Sequence, residues 1–393
     1  MKPLPVVIGL EVNGYGMIRS LANAGIAPAG LARDASEYAA TSRFLREVAF
    51  FGAGSGGDRM VEALRALHQR SGRPLVLFPT ADELVVDLTE RRQPLDDFCL
   101  YHWNPAETLR VGTDKTAMGA LCESLGIRAP RTEQPASLAG VEALAARVSW
   151  PVIVKPRSGG DTPFPPGEKN AIVGTAAELI SLYRGLPALL GRTLCQEIVT
   201  GPDSDIYQVT ALMRNGSREP VVSCVRKRRQ YPRQRGTTSF GVTEWNPLLV
   251  EQALQVLRAL EWRGIGSIEF KLGPGGIPYF IELNPRLPWY NHLFAASGVN
   301  LPELMYRDLT EAGGTGGAVP RQRDGVAWGH LANDLASYRA TRPRPGAWAW
   351  IRWAAEHATA RSSAWRCLSD PVPAITAYSS LLGSLRAARH SRP

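Results

Sequence analysis

Two carboxylates stand on what reads as a β-hairpin. Residues 267–272 are Ser-Ile-Glu-Phe-Lys-Leu, a Gly-Pro-Gly-Gly turn occupies 273–276, and Ile-Pro-Tyr-Phe-Ile-Glu-Leu-Asn-Pro-Arg follows at 277–286. Side chains alternate along a strand, so Glu269 and Lys271 share one face, and Glu282 and Asn284 share a face of the partner. With Leu272 paired to Tyr279 across the turn, Glu269 lies opposite Glu282. Facing acids about 5 Å apart repel each other unless something compensates. Two acids and an amide oxygen suit a hard, oxygen-liganded cation such as Mg²⁺ or Mn²⁺, with positions left for phosphate and water. Taken alone, the pair reads equally well as solvent-facing acids neutralised by arginines. Asn284 and Arg286 beside it favour the cation.

The lysines are the second feature. The chain has 393 residues, 45 of them basic and 36 acidic, for a net charge of +9. Six of the basic residues are lysine and the other 39 arginine. Lysine is a compact point charge and arginine a planar fork, so each lysine kept in such a chain invites inspection. Lys155 ends an apolar strand at 150–156, just before the Gly- and Pro-rich stretch 157–170. There its ammonium could meet a phosphate that the backbone N–H groups of Ser158, Gly159 and Gly160 also approach. Lys115 falls in the first turn of a helix expected from Thr113, its cap, to about 125, where an anion is favoured. Gln196 and Glu197 lie on a strand at 194–199. A strand edge with backbone groups and a carboxylate could hold an adenine amino group, and an acid beyond it ribose hydroxyls.

The order of these motifs resembles the ATP-grasp superfamily. Lys115, Val-Ile-Val-Lys155-Pro, Gln-Glu197-Ile-Val, Ile-Glu269-Phe and Ile-Glu282-Leu-Asn284-Pro-Arg286 carry the resemblance over about residues 1–310. Among its branches the chain looks most like carboxylate–amine ligases of bacterial cell-envelope and polysaccharide pathways, relatives of D-aspartate ligases. The resemblance implies an N-terminal parallel α/β domain (1–112), a two-lobed α+β ATP-grasp domain (113–193 and 194–310) and a helical extension (311–393). It implies ATP and Mg²⁺ as cofactors: Lys115 and Lys155 on the phosphates, Glu197 and the Val199 backbone on adenine, and Asp205, with Asp203 as second choice, on ribose. Glu269, Glu282 and Asn284 would hold the metal. Arg286 and a residue of the 226–229 cluster, Lys227 or Arg228, would steady an acyl phosphate, and residues 237–239 would form a substrate loop. The alternative is an ATP-binding regulatory or scaffold protein of the same fold. A nearer one is a carboxylase or kinase-like activator.

The elements needed to position these residues are also legible. Apolar strand 6–10, the glycine turn and a helical pattern to Gly25, then helix 58–69 and strand 74–79, alternate as a parallel α/β layer does. Gly9, Gly14 and Gly16 do not match a dinucleotide fingerprint. Residues 13–15 belong at the mouth of that sheet. Five scattered cysteines, with no metal spacing, fit buried free thiols in the cytosol. None of the six histidines suggests a nucleophilic triad, and His292, after Trp289-Tyr290-Asn291, reads first as a packed side chain and second as part of an acceptor pocket.

The tail differs from the body. Residues 315–393 hold eleven arginines, four acids and five of the ten tryptophans, a net of +7 against +2 for the rest. Either these tryptophans pack against the body, or Trp and Arg together meet a membrane interface and bring lipid-linked substrates within reach. No nucleic-acid motif accompanies them.

Overall fold

The computed structural model describes residues 1–52, 57–157, 163–165, 170–216, 219–233, 236–311, 319–341 and 343–390, with side chains through 381. Its three sheets follow one another along the chain. The first holds β1 (Leu4–Ile8), β2 (Ala29–Ala32), β3 (Val48–Phe50), β4 (Leu75–Pro79) and β5 (Cys99–Leu100). All are parallel, in the order β3-β2-β1-β4-β5. Helices α1 (Val12–Asn23), α2 (Gly57–Ser71) and α3 (Asp82–Glu90) connect them. Every residue of β1 and β4 is buried, as apolar strands covered on both faces should be. The turn from β1 into α1 needs glycine twice. Gly9 has φ +89°, and a Cβ on Gly14 would stand 2.1 Å from the Gly9 carbonyl oxygen.

Two helices then lead into the second layer, α4 (Ala106–Thr113) and α5 (Lys115–Ser124). One helix capped by Thr113 was expected. Instead Thr113 closes α4, its hydroxyl bonded back to the Leu109 carbonyl at 2.9 Å. Asp114 caps α5, accepting from the Thr116 and Ala117 amides at 2.8 and 3.0 Å. A carboxylate is an acceptor and also a charge that the helix N-terminus favours, which gives it the advantage over a hydroxyl.

The second sheet is antiparallel: β6 (Thr132–Glu133), β7 (Val152–Pro156), β8 (Ala171–Val173) and β9 (Thr193–Glu197), ordered β6-β9-β7-β8. Helices α6 (Leu138–Ala145) and α7 (Ala176–Gly185) cover it around a core of Val152, Val154, Leu179 and Tyr183. The third sheet takes β10 (Ile206–Met213), β11 (Val221–Tyr231), β12 (Thr237–Thr243), β13 (Gly264–Leu272) and β14 (Pro278–Asn284), with α8 (Pro247–Ala259) packed on one face. The chain continues through α9 (His292–Ser297) and α10 (Leu301–Thr310).

The basic, Trp-rich tail supplies helices α11 (Leu331–Arg339), α12 (Ala347–Thr359) and α13 (Val372–His390), and two strands besides. β15 (Ala327–Gly329) pairs antiparallel with β12, and β16 (Ser362–Ser363) parallel with β15, so the third sheet runs β14-β13-β10-β11-β12-β15-β16. Trp328 is wholly buried, and with Trp365 it shares one apolar core with Tyr15 of α1 and Leu293 of α9.

Candidate active site

The three sheets enclose a cleft of about 770 Å³. Lys115, Lys155, Gln196, Glu197, Val199, Lys227, Glu269, Glu282, Asn284 and Arg286 all line it. Glu269 faces Glu282 across the hairpin as expected, though by a different register. Leu272 pairs with Pro278 and Lys271 with Tyr279, one residue off the expected pairing, and a bulge at Ile281 restores the match at Glu269–Glu282. The reason is packing. The shift sends Phe280 into the core, edge-on to Phe270 at 6.3 Å, and leaves Ile281 in the cleft wall.

The facing acids are compensated by lysines, not arginines. Lys227 Nζ lies 2.5 Å from Glu269, and Lys115 Nζ lies 3.2 Å from Glu282. The two carboxylates consequently diverge. Lys115 holds Glu282 below the usual carboxylate range against the effect of burial, whereas burial pushes Glu269 up although Lys227 opposes it. The Asn284 amide donates to Glu282 at 3.2 Å, which fixes its side chain beside the pair. Two carboxylates and an amide oxygen converging on one wall form the hard-oxygen set that Mg²⁺ takes.

Across the cleft, Lys155 Nζ donates to Gln196 Oε1 at 2.6 Å, and Gln196 in turn donates to Thr132 at 2.7 Å. Burial, and then the neighbouring Lys115, lower Lys155 to about 7. Both Glu197 oxygens accept from backbone amides, Ser149 at 2.8 Å and Arg131 at 3.4 Å. The Glu197 carboxylate, expected on adenine, is thus engaged by two backbone donors, and the Glu197 and Ile198 amides donate to the Arg131 and Pro151 carbonyls at 3.0 Å each; Val199, the other expected adenine contact, lines the cleft. Ser158, Gly159 and Gly160 lie outside the described residues.

Two expectations are corrected by position. Arg228 is exposed and bonded to Glu244 at 3.1 Å, outside the cleft wall. Pairing between β11 and β12 is irregular from Lys227 to Arg229, which leaves Arg228 unpaired there and turned outward. Asp205 also lies beside the wall and not in it, its carboxylate 3.5 Å from Arg226. Asp203, the other ribose candidate, is buried and accepts from Gln230 at 2.9 Å. Arg286 does reach the cleft, where Asp82 of α3 steadies it at 2.9 Å.

Several lining residues went unnoticed in the sequence. Gln208 pairs with Glu269 and accepts from the Tyr290 hydroxyl at 2.6 Å. It alternates with core residues Tyr207 and Val209 along β10, and that period of two was its signal. Asn13 enters the wall as expected, held by its bonds to the Thr80 and Leu287 carbonyls at 2.7 and 2.9 Å. Tyr15 does not: it is buried, donating to the Asp370 carbonyl at 3.0 Å. His292 is packed as expected, beside Ser362 at 2.9 Å.

The same architecture occurs in solved enzymes. The structure superposes on a biotin carboxylase from Campylobacter jejuni, solved as a β,γ-ATP complex, with TM-score 0.65 and 15% identity, over 81% of this chain and 73% of that one. The chain has the ATP-grasp fold. An L-amino acid ligase from Bacillus licheniformis shares it with TM-score 0.61 and 13% identity, over 82% of this chain and 76% of that one. In sequence, the carbamoyl phosphate synthase large chain of Streptomyces avermitilis is 23% identical over 232 residues, 55% of this chain. The chain spans only 21% of that curated relative's length. No family model matches.

Proposed function

We propose that this ATP-grasp protein is an ADP-forming ligase that joins a carboxylate to an amine. One observation carries the reading: two acids on paired strands, each facing its own lysine, share a cleft wall with an amide and look across to a half-buried lysine. Structures of the same fold include an ATP complex and an amino acid ligase.

Glu269, Glu282 and Asn284 would hold Mg²⁺, which when bound neutralises phosphate charge and polarises the γ-phosphoryl group. Lys115 and Lys155 bind phosphate oxygens, and Lys115 is released from Glu282 as it does so. A substrate carboxylate oxygen attacks the γ-phosphorus, and the bond from that phosphorus to the ADP oxygen breaks. Arg286 and Lys227 stabilise the acyl phosphate as its charge develops. The amine nitrogen then attacks the acyl carbon, phosphate leaves with the bonding pair, and the amine's proton passes to phosphate or water. Positioning and electrostatics suffice for this chemistry, which fits a cleft whose described lining holds no nucleophilic triad.

The test is ADP release, screened over amino acids and amines with mass analysis of products. Glu282→Ala should abolish amine-dependent release while circular dichroism is unchanged. Unaltered turnover would remove the metal assignment. ATP binding without release across the panel would favour a regulatory protein.

We also propose substrates of envelope or polysaccharide metabolism, lipid-linked ones included, handled at the inner face of a membrane. The motif resemblance supports the pathway. The exposed face of α12 supports the surface: Trp348 is 80% and Ile351 57% exposed, with Arg344 and Arg352 exposed beside them. Among the described residues no helix is long and apolar enough to cross a membrane.

A further inference from the structure

One cleft lysine has no assigned role. Lys115 faces Glu282, Lys155 faces Gln196 and Lys227 faces Glu269. Lys271 also lines the cleft, yet it makes no hydrogen bond or ion pair among the described residues. The acids nearest to it have other partners: Asp205 faces Arg226 at 3.5 Å, and Asp203 accepts from Gln230 at 2.9 Å. A half-buried ammonium is desolvated at a cost, and without a partner it is a donor with nothing to donate to.

Its place indicates what it meets. Lys271 and Glu269 share a face of β13, two residues and roughly 7 Å apart along the strand. From Glu269 the displacement runs toward the segment that follows β9. Lys271 pairs with Ile206 at the start of β10, and its Cε lies 3.8 Å from where a Cβ on Gly201 would stand. The metal and phosphate end of the cleft lies at Glu269, Glu282, Lys115 and Lys155. Lys271 is at the other end, beside the backbone of 197–201. Acceptors there belong to the nucleoside: ribose hydroxyls and ring nitrogens of the base.

We infer that Lys271 is a nucleoside-positioning residue, donating to a ribose or base acceptor of the bound nucleotide at the place where Asp203 and Asp205 are already engaged. This rests on the proposed nucleotide site. It predicts a different dependence from the phosphate lysines, because a ligand without a nucleoside should not register it.

Calorimetric titration with Mg·ATP and with Mg·tripolyphosphate separates the two. Lys271→Met should weaken ATP about tenfold, the scale of one hydrogen bond from a charged donor, and leave tripolyphosphate affinity unchanged. Lys155→Met should weaken both ligands. Lys271→Arg, which keeps a donor, should recover most of the ATP affinity, and an unchanged melting midpoint in the ligand-free variants guards against misfolding. Equal losses for both ligands in Lys271→Met would place the lysine on phosphate and overturn the inference, as would no loss for either. Wild-type protein that binds tripolyphosphate but gains nothing from the nucleoside would also overturn it. If the wild type binds neither ligand, the nucleotide site itself falls.

Discussion

At the scale of single residues, Lys155 makes the sharpest demand on solution behaviour. Burial and the nearby Lys115 bring its ammonium from an ordinary 10.5 to about 7 in the open cleft. A phosphate would restore the charged form, because an opposite charge favours it. The sign follows. Below pH 7 the lysine is already charged and binding moves no proton. Above pH 7 it is neutral in the free protein and must take up a proton to meet phosphate, so ATP affinity should fall as pH rises, by up to about tenfold per unit. Calorimetry at pH 8 in two buffers of different ionisation enthalpy should show uptake approaching one proton. Lys155→Met should abolish that uptake, and a buffer-independent heat in the wild type would refute the assignment. The places of Glu269, Glu282 and Asn284 on one cleft wall were legible beforehand because alternation along a strand needs no tertiary knowledge. Arg228 was not, because the irregular pairing between β11 and β12 is set by neighbours far away in sequence.

At the scale of elements, short-range signals located the helices and strands, and packing decided their ends. The hairpin turn alone suggested pairing Leu272 with Tyr279. The structure sets Phe280 against Phe270 in the core and absorbs the offset at Ile281. That choice depends on the volume available beneath the sheet, which no local pattern displays. Asp114 has a similar lesson with a measurable consequence. It caps α5, and α5 begins with Lys115, so the cap also anchors the lysine proposed to bind phosphate. Asp114→Ala should cost about 1 kcal/mol of stability, the usual worth of a cap, read as a lower urea midpoint. It should also raise the KM for ATP, because the first turn that carries Lys115 frays. A lower urea midpoint with an unaltered KM would mean that Lys115 is held by Glu282 alone.

At the scale of the whole molecule, the tail changes how its charge is understood. An excess of arginine and tryptophan suggested a separate surface; the structure divides the two, burying Trp328 and Trp365 in the shared core and leaving the described tail arginines exposed around internal polar framework. Asp334 of α11 is fully buried, accepting from Arg229, Ser239 and Trp353 and paired with His357. Burial alone would raise it, but bonds from His357 and then Arg229 hold it at about 2. His330 stacks against Trp289 of the cleft wall, and Arg19 of α1, almost wholly buried, donates to the Ser363 carbonyl at 2.7 Å. Removing 315–393 would strip a strand from β12 and open the shared core, so truncation cannot test a membrane role: it would break the body as well. The question has to be put to exposed side chains whose loss leaves that core intact. Trp348→Ser with Ile351→Ser changes two exposed residues, and exposed substitutions usually move stability by less than about 0.5 kcal/mol. The melting midpoint and ADP release should therefore match wild type, while co-sedimentation with vesicles containing phosphatidylglycerol should be lost. Adding salt should weaken wild-type sedimentation as well, since Arg344 and Arg352 act over a Debye length of about 8 Å at 0.15 M ionic strength. Sedimentation that survives both substitutions would move the contact elsewhere, and wild-type protein that never sediments would leave the tail as framework alone.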